Sequence, residues 1–582
     1  MDLIQLRRDA KRRYAAMIRS RTKWETRWRD QAEQFAPMRG RFGVTEEGMR
    51  DILRRNSRPR IIPDEFAAGL KSGLTSPTHP WFALGIFEPE LSKYERVKAW
   101  LSDVTEAMLT VIGRSNFYDE IFTVYKEEGV FGTGCLYVDE DEEEVFRCKA
   151  FTVGQYAIAQ NRHKLVNSFA RSLSFTASEL AAEFGEDGLP SEIRLNLKEE
   201  RKGQGDSSET FEVLHLVEEN DEYVPDAPGQ KNMKYRSMYW LPSVSQPEFL
   251  RIGGYNEFPV MVPRWRLIGE DLYGSEHPGD VGLDDARTIQ DIEVDERRAL
   301  KLGIMPPLLA PRSLQGTDID LRPGKITWYD PPATGGAAPM AQPLVVARFD
   351  YAAAAEKIER LSIGLEKAFY VDLFRMWATD LRQGRTATEI QAREEEKIYA
   401  LEPILTRQMY DLLDPFITRV FSIMERRGLL PSPPPELEGM PFKIEYTSVL
   451  AKSQKQSSQH GIETVLNVVG NIMQMQAADG SRPEILDKID TDTIVDLYAD
   501  MHGLPSGVVL GDDRVKEIRE QKAEEQAAQQ QAAMEAQAAQ QAPLLAGAAK
   551  DLGQTPVGGG NAIDALMGMA GIDGGGIEAD AG

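Results

Sequence analysis

The chain has 582 residues, 42% of them hydrophobic, and a formal net charge of −24 at pH 7. These values exclude a uniformly basic nucleic-acid-binding protein and a chain too polar to form a core. The charge is uneven, because residues 1–60 contain 17 Lys and Arg against 8 Asp and Glu. This basic segment indicates contact with an acidic partner or nucleic acid, or else an amphipathic helix with a solvated basic face.

Two cysteines, Cys135 and Cys148, are the only ones in the chain. They predict no disulfide framework and fit a reducing compartment. The first residues lack the apolar stretch of a signal peptide, and no run approaches the roughly 18 apolar residues of a membrane span. The sequence therefore predicts a protein made and kept in a cytosol.

The N-terminal part is predicted to be helical. Apolar residues at helical spacing predict helices over 3–36, 63–75 and 92–130. Proline follows the first two helices, and a glycine-punctuated turn over 129–134 follows the third.

Two aromatic pairs in this part invite a functional interpretation. Trp24 and Trp28 lie four residues apart on the basic first helix, where stacking on nucleic-acid bases is conceivable. Their spacing on an amphipathic helix favours packing in a core instead. Trp81-Phe82, directly after Pro80, is interpreted as a plug into a core.

Residues 135–265 change to short alternating segments separated by turn residues, which predicts an antiparallel β-rich section. Further on, the pattern predicts a charged helix at 282–302, short strands at 303–348, a helix at 350–370 and a loop at 371–385.

A long amphipathic helix is predicted over 386–427. Thr386 or Thr388 serves as N-cap, Glu389 stands at capping-box spacing from Thr386, and Gly428 ends the helix. Beyond it we expect a strand at 441–450, helices at 453–526, and a Gln/Ala-rich then Gly-rich tail that begins helical and ends disordered. The predicted fold class is α+β, predominantly helical.

The sequence contains no H-E-x-x-H, G-x-S-x-G or C-x-x-C motif. Gly324-Lys325-Ile326-Thr327 lacks the spacing of a phosphate-binding loop, and Gly129–Gly134 leads from helix into strand, the reverse of a dinucleotide fingerprint. The acidic run Asp139–Glu144 is interpreted as a solvated hairpin turn because six consecutive acids cannot converge on one ion. The six histidines are scattered. We therefore predict no enzymatic activity, no metal and no cofactor.

Several segments, taken in order, resemble the portal (head-to-tail connecting) proteins of short-tailed double-stranded DNA bacteriophages. The resemblance runs from Arg19 to about residue 526. Its motifs are the helix with Trp24 and Trp28, Ala67–Thr75, Pro80-Trp81-Phe82, Gly132–Val138, Gly269–Gly274 and Thr386–Ile390. Ser275-Glu276-His277-Pro278-Gly279 keeps the family's Pro-Gly but lengthens the approach to it by about one residue.

The resemblance implies a ring-forming portal fold. Its regions would be an N-terminal wing (1–281), a first stem helix (282–302), a clip (303–348), a second stem helix (349–370), a tunnel loop (371–385), a long wing helix with a returning strand (386–450), a crown or barrel (451–526) and a tail (527–582). The two stem helices have a narrow apolar stripe, which fits packing against neighbouring subunits.

The resemblance further implies a ring of about twelve subunits at one capsid vertex. Double-stranded DNA would pass through it during packaging and ejection. Implied partners are the terminase motor, the major capsid protein, scaffold, a tail adaptor and internal ejection proteins, with no membrane. The protein would reside in the virion, and in the host cytoplasm during assembly.

A channel that lets DNA slide fits an acidic lining with sparse basic rings, because many phosphate contacts would bind tightly. The candidates for such rings are Arg297, Arg298, Lys301, Arg375, Arg382 and Arg385. Each could instead form salt bridges between subunits, with acids such as Glu356 and Glu359.

Two other functions remain open at this point. A tail adaptor or other virion ring protein is one, although adaptors are typically much shorter chains. An enzyme of the packaging machinery is the other, and the missing phosphate-binding loop counts against it.

Overall fold

The computed structural model describes ten main stretches of the chain and a few short pieces between them. The stretches are residues 3–42, 56–88, 94–202, 209–225, 232–243, 248–304, 349–380, 404–437, 442–447 and 514–534. The chain divides into two compact units, one of residues 1–87 and 100–504, the other of 88–99 and 505–582.

Helix α1 (Leu3–Phe35) buries one face, on which Leu6, Ala10, Met17, Trp28 and Phe35 recur at helical spacing. The helix predicted over 3–36 is confirmed. Trp28 is 1% exposed and its ring lies 4.9 Å from that of Tyr273. The preference for core packing over base stacking is therefore confirmed for this tryptophan.

Helix α2 (Arg58–Leu74) begins one turn before the predicted start at residue 63. Pro63 therefore lies inside the helix rather than at its first position. A proline inside a helix removes one backbone hydrogen bond. Here the completely buried side chains of Ile62 and Phe66 flank Pro63 and hold the turn in the core.

The third predicted helix is two helices, α3 (Glu95–Arg114) and α4 (Phe117–Phe131). Asn116 separates them and bonds the backbone of Cys148 through both its side-chain oxygen and nitrogen. Gly132 ends α4 at φ +75°, a left-handed conformation that glycine adopts without strain. The turn predicted here is confirmed.

The predicted antiparallel β-rich section forms two sheets, which confirms that prediction. The three-stranded sheet has the order β3-β2-β9 and the five-stranded sheet the order β4-β5-β6-β7-β8. Their strands are β2 (Leu136–Asp141), β3 (Val145–Ala150), β4 (Tyr156–Gln160), β5 (Val166–Thr176), β6 (Thr210–Glu219), β7 (Tyr235–Trp240), β8 (Arg251–Tyr255) and β9 (Val260–Met261). The acidic run is the β2–β3 hairpin, as expected.

Two helices between β5 and β6 were not predicted: α5 (Ala177–Phe184) and α6 (Ser191–Arg201). A sequence signal was present, because Thr176 and Glu179 form a capping box at the start of α5. The helices pack on the sheet through Leu180, Ile193 and Leu197.

The two faces of the five-stranded sheet have different partners. One face packs against α1 through Ala170, Leu216, Met238 and Trp240. On the other face, one rung crosses all five strands through register pairs of Tyr156, Arg171, His215, Tyr239 and Arg251. Because side chains alternate along a strand, α1 and this rung lie on opposite sides of the sheet.

A short helix α7 (Pro278–Val281) leads into α8 (Leu283–Ile304), which confirms the predicted charged helix. The two-residue strands β10 (Leu308–Leu309) and β11 (Gln342–Pro343) pair with each other. The rest of the predicted segment 303–348, apart from residues 303–304 of α8, lies outside the described residues.

Helix α9 (Tyr351–Ala368) confirms the prediction at 350–370, with Asp350 as its N-cap. The loop predicted over 371–385 is wrong for its first ten residues, because Val371–Asp380 form helix α10. Tyr370 separates α10 from the preceding helix α9, and its φ is +57°. Phe374 then packs against Phe66 of α2, and this contact favours a helix over an open loop.

Residues 404–426 are helical and end at Gly428 as predicted; residues 386–403 of the predicted long helix lie outside the described part. The helix is interrupted by a π-helical turn, Met409–Leu413, before α11 (Asp414–Arg426). Strand β12 (Phe442–Tyr446) pairs antiparallel with β1 (Phe82–Ile86) and confirms the predicted strand. Trp81 beside β1 is 1% exposed, in agreement with the predicted core plug.

In the second unit the structure describes a helix over 514–534 and the short strands β13 (Pro556–Val557) and β14 (Gly560–Asn561). Most of the predicted crown and tail lies outside the described residues. Taken together, the described chain mixes helices and sheets, as the predicted α+β class requires. None of its described helices is long and apolar enough to cross a membrane.

Candidate channel helices and their anchoring

Helices α8 and α9 lie side by side with the start of α8 against the end of α9. Gly282 lies against the side chain of Leu365, and Gly364 faces the carboxylate of Asp285. Most of the buried residues of α8 lie near this end, namely Leu283, Ala286 and Ile289. The pair is therefore anchored at one end of its length.

Farther from the anchored end the apolar residues are open to solvent. Leu300 and Ile304 of α8 are 45% and 72% exposed, and Tyr351 of α9 is 43% exposed. Exposed large apolar side chains on neighbouring helices are typical of surfaces that another protein covers.

Three candidate cations lie on the last turns of α8, all of them exposed. Arg297 lies 3.8 Å from Glu293, and Arg298 lies 3.4 Å from Asp295, so each faces an acid of its own helix one turn back. Lys301 stands in the last turn, where a cation is favoured by the helix dipole. Glu356 and Glu359, the suggested pairing acids, are exposed on α9.

Arg375 is placed on α10 and forms ion pairs within its own chain. Its guanidinium lies 2.9 Å from Glu65 of α2 and 3.1 Å from Glu366 of α9. Arg58 contacts the same two carboxylates. These four side chains, here called the charge square, join α2, α9 and α10. The remaining candidates, Arg382 and Arg385, lie outside the described residues.

Two of the motifs that carried the family resemblance meet directly. The Thr133 hydroxyl accepts a hydrogen bond from the Gly274 amide at 2.9 Å, and the Trp265 amide donates to the Gly132 carbonyl at 2.9 Å. A β-carbon added at Gly274 would lie 1.9 Å from the Gly132 oxygen. Only glycine therefore permits this approach, which sets the start of α7 and α8 against the end of α4.

His277, in the same junction, is 3% exposed. Its Nδ1 lies 3.4 Å from the Gly129 carbonyl and its Nε2 lies 3.2 Å from the Gln31 amide nitrogen. Burial lowers the pKa of His277 to about 4, so the ring is neutral at pH 7. Asp280, one turn later, accepts a hydrogen bond from Arg27 at 2.6 Å and ties α1 to α7.

A second anchoring cluster, missed by sequence reasoning, surrounds Glu128 of α4. This residue is completely buried and accepts a hydrogen bond from Gln408. Asp411, in the π-helical turn, lies 2.8 Å from Arg407 and 3.7 Å from Arg264. Burial raises the pKa of Glu128 to about 8. No local pattern marks these residues, because their partners are far apart in the sequence.

The described residues contain no group of three His, Cys, Asp or Glu side chains placed to hold a metal ion. Cys135 and Cys148 are both buried and free, and burial raises the pKa of each thiol. What the arrangement offers is a pair of helices, held at one end by polar and glycine contacts and exposing apolar and basic groups at the other.

Comparison with known proteins identifies relatives that match almost the whole chain. A family profile described as bacteriophage head to tail connecting protein matches residues 7–510. The probable portal protein of Bordetella phage BPP-1 is 32% identical over 537 residues, covering 92% of each chain. The portal protein of Salmonella phage epsilon15 is 32% identical over 569 residues, covering 96% of this chain and 97% of the relative.

Among solved structures, a chain from the neck of an empty GTA particle covers 74% of this chain and 91% of its own length. Its sequence identity is 10% and its TM-score 0.32.

Proposed function

The chain belongs to the family of bacteriophage head-to-tail connecting proteins, and on this basis we propose that it acts as a portal. In this role, copies of the chain form a closed ring at one capsid vertex. Double-stranded DNA passes through the ring during packaging and ejection, and the packaging motor and then the tail attach to it. The observation that carries the proposal is the match to two portal proteins over almost the whole chain.

The exposed apolar side chains of α8 and α9 support a ring. Leu300 and Ile304 lack cover within the described part of one chain. In a ring, the same pair from the next copy would bury them and gain hydrophobic free energy. We propose about twelve copies, with 282–302 and 349–370 as the stem, 303–348 as the clip, and 1–281 with 386–450 as the wing.

For the remaining regions we propose a crown or barrel over 451–526, followed by the tail. We propose a tunnel loop that begins after residue 380, later than the sequence suggested, since Val371–Asp380 form α10. A tunnel loop after residue 380 would still carry Arg382 and Arg385. Arg297, Arg298 and Lys301 remain candidates for a basic ring in the channel, because all three are exposed.

Arg375 is a weaker candidate for contact with DNA, because its guanidinium already faces Glu65 and Glu366. We propose instead that it holds α10 against the stem. The ion pairs of Arg375 within one chain support this role over a salt bridge between subunits.

The proposed partners are duplex DNA, a terminase motor, the major capsid protein, scaffold, a tail adaptor and internal ejection proteins. The proposed location is the capsid vertex of the virion, with assembly in the host cytoplasm. We propose no enzymatic activity, since a separate motor would supply the energy of packaging.

The test is the assembly state of the purified full-length protein. Light scattering combined with electron-microscopy class averages should give a closed ring with a central hole, near twelve times the 65.1 kDa of one chain. A thirteen-fold ring would also support the proposal. A monomer or dimer at every concentration would contradict it, and would favour a tail adaptor or a packaging enzyme, for which an ATPase assay would be decisive.

A further inference from the structure

Eight of the ten basic residues of α1 fall into two sets with different surroundings; the other two, Arg27 and Arg29, contact Asp280 and the Phe42 ring. Arg7, Arg13 and Arg21 point inward or along the sheet and have partners there. Arg7 donates to the carbonyls of Leu241 and Glu248, both at 2.8 Å. Arg21 donates to the Gly154 carbonyl and Arg13 to Glu218, each at 2.6 Å. These three arginines hold the helix on the five-stranded sheet.

The second set points away from the sheet and is here called the basic stripe. Its members are exposed and consist of Arg8, Lys11, Arg12, Arg19 and Lys23. At 3.6 residues per turn they fall within an arc of roughly 120°. Within the described part of the chain, Arg12 alone among them has an ion-pair partner, Asp9 at 3.2 Å.

The composition of this face distinguishes between two kinds of acidic partner. Protein interfaces are typically enriched in aromatic side chains, Met and Arg, and arginines there usually act beside aromatic anchors. Between residues 8 and 27, α1 exposes no aromatic, Met or other large apolar side chain; its exposed large apolar side chains are Leu3 and Ile4, at the start of the helix. Small or polar residues stand between the cations, namely Ala15, Ala16 and Thr22. Such a surface fits a partner that offers charge without apolar pockets.

The length and rigidity of the stripe also fit a regular polyanion. From Arg8 to Lys23 the helix rises about 22 Å, at 1.5 Å per residue. Duplex DNA carries one phosphate charge per about 1.7 Å of its axis, so an aligned duplex would present on the order of a dozen phosphates over that length. Because α1 is already held by its opposite face, no backbone segment has to become ordered on binding.

We propose that the basic stripe of α1 binds the phosphate backbone of duplex DNA, as a contact separate from the α8–α9 pair. The contact would be independent of base sequence, since only phosphates are neutralised. This inference goes beyond the proposed channel, because it assigns a DNA-binding surface to a helix that packs on the five-stranded sheet.

The experiment uses the full-length protein and a covalently closed circular duplex, which cannot thread through a closed ring. Filter binding is measured against NaCl concentration for the wild type and for R8Q/K11Q/R12Q/R19Q/K23Q. Each neutralised phosphate contributes about 0.9 to the slope of log K against log salt. We therefore expect the magnitude of the slope to decrease by about 4.5 for the five substitutions, and the affinity at low salt to fall accordingly.

The matched control is R114Q/R147Q/R162Q/R194Q/K198Q, which removes five exposed cations from two other helices, a strand and a turn. It should keep the wild-type slope to within about 1. A stripe variant with the slope of the wild type would overturn the proposal, as would a wild type that does not bind the circle. Binding of poly-glutamate but not DNA through the stripe would also overturn it and would indicate an acidic polypeptide partner.

Measuring the ring mass and the melting temperature of each sample distinguishes a failure of this proposal from a failure of the portal proposal. A variant that keeps the ring and its melting temperature but loses the salt slope supports the stripe. Loss of the ring in the wild type would count against the portal proposal alone. If the fivefold variant misfolds, the single substitutions serve, each with an expected slope change of about 0.9.

Discussion

Gln408 donates a hydrogen bond to the completely buried carboxyl of Glu128, and so joins α4 to the helix that carries the π-helical turn. The other carboxyl oxygen, Glu128 Oε1, and the amide oxygen, Gln408 Oε1, are buried and have no hydrogen-bond partner within the described residues. A proton on Glu128 would let the carboxyl donate to the carboxamide. The geometry thus agrees with the pKa of about 8 that burial gives this carboxyl.

This protonation predicts a pH dependence of stability. Between the ordinary pKa of 4.5 and about 8, folded Glu128 holds a proton that the unfolded chain has lost. The stabilisation that this proton gives the fold is therefore fully present below pH 4.5 and is lost as the pH rises through 8. Over that range the free energy of unfolding falls by up to about 1.4 kcal/mol per pH unit. Glu128→Gln has no group at this position that titrates. The melting temperature of the variant minus that of the wild type should therefore increase from pH 5 to pH 9. Parallel pH profiles of the two proteins would show that Glu128 is ionised in the fold.

The contact between Gly274 and Gly132 predicts a strong effect of a single methyl group. Gly274→Ala places a β-carbon 1.9 Å from the Gly132 carbonyl oxygen, and the backbone must move apart. We expect a loss of about 3 kcal/mol and a lower yield of rings, because the same contact positions α8. Gly253→Ala is the matched control, since nothing lies within 4 Å of its added β-carbon. Equal melting temperatures for the two variants would contradict the argument.

The exposed ends of α8 predict a variant that folds but does not assemble. L300S/I304S removes apolar side chains that are 45% and 72% exposed in one chain. The melting temperature of the monomer should change by less than about 2 °C, while light scattering should show the ring fraction falling sharply. Leu195→Ser, at a position 59% exposed on α6, should leave the ring intact. A ring population unchanged in the double variant would place the subunit contact elsewhere.

The charge square predicts a small coupling between Arg375 and Glu366. Both side chains are partly exposed, at 49% and 22%, so solvent screens the pair. A double-mutant cycle with Arg375→Met and Glu366→Gln should give a coupling free energy of roughly 0.5 kcal/mol, decreasing with added salt. A coupling free energy of zero at low salt would contradict this ion pair. It would also make contact with DNA a stronger interpretation for Arg375.

Sequence patterns identified the helices with clear apolar spacing and caps. Helices α1, α8 and α9 have such spacing, and proline follows α1 and α8. The local sequence pattern did not predict helix α10. This helix depends on Phe374 packing against α2, more than 300 positions earlier in the chain. It failed at α2 for a similar reason, since burial of Ile62 and Phe66 outweighs the bond lost at Pro63.

For the candidate site, the sequence located the cations but could not assign their partners. Arg375 and Glu65 are 310 positions apart, and Glu128 and Gln408 are 280 apart. A single sequence contains no information on such pairs, since charge and burial at one position do not indicate which distant residue lies opposite. The glycines of both family motifs were visible, but that they touch each other was not.

The pairing of β1 with β12 restricts the order in which the protein can fold. The Thr447 hydroxyl donates to the Pro80 carbonyl, 367 positions earlier. At roughly 5–20 residues per second, a ribosome needs tens of seconds to make the intervening chain. Throughout that time β1 has an unpaired edge and Trp81-Phe82 lacks its final cover, both of which favour aggregation. A cell that makes many copies at once therefore has reason to protect this strand with a chaperone until the last part of the sheet is synthesised.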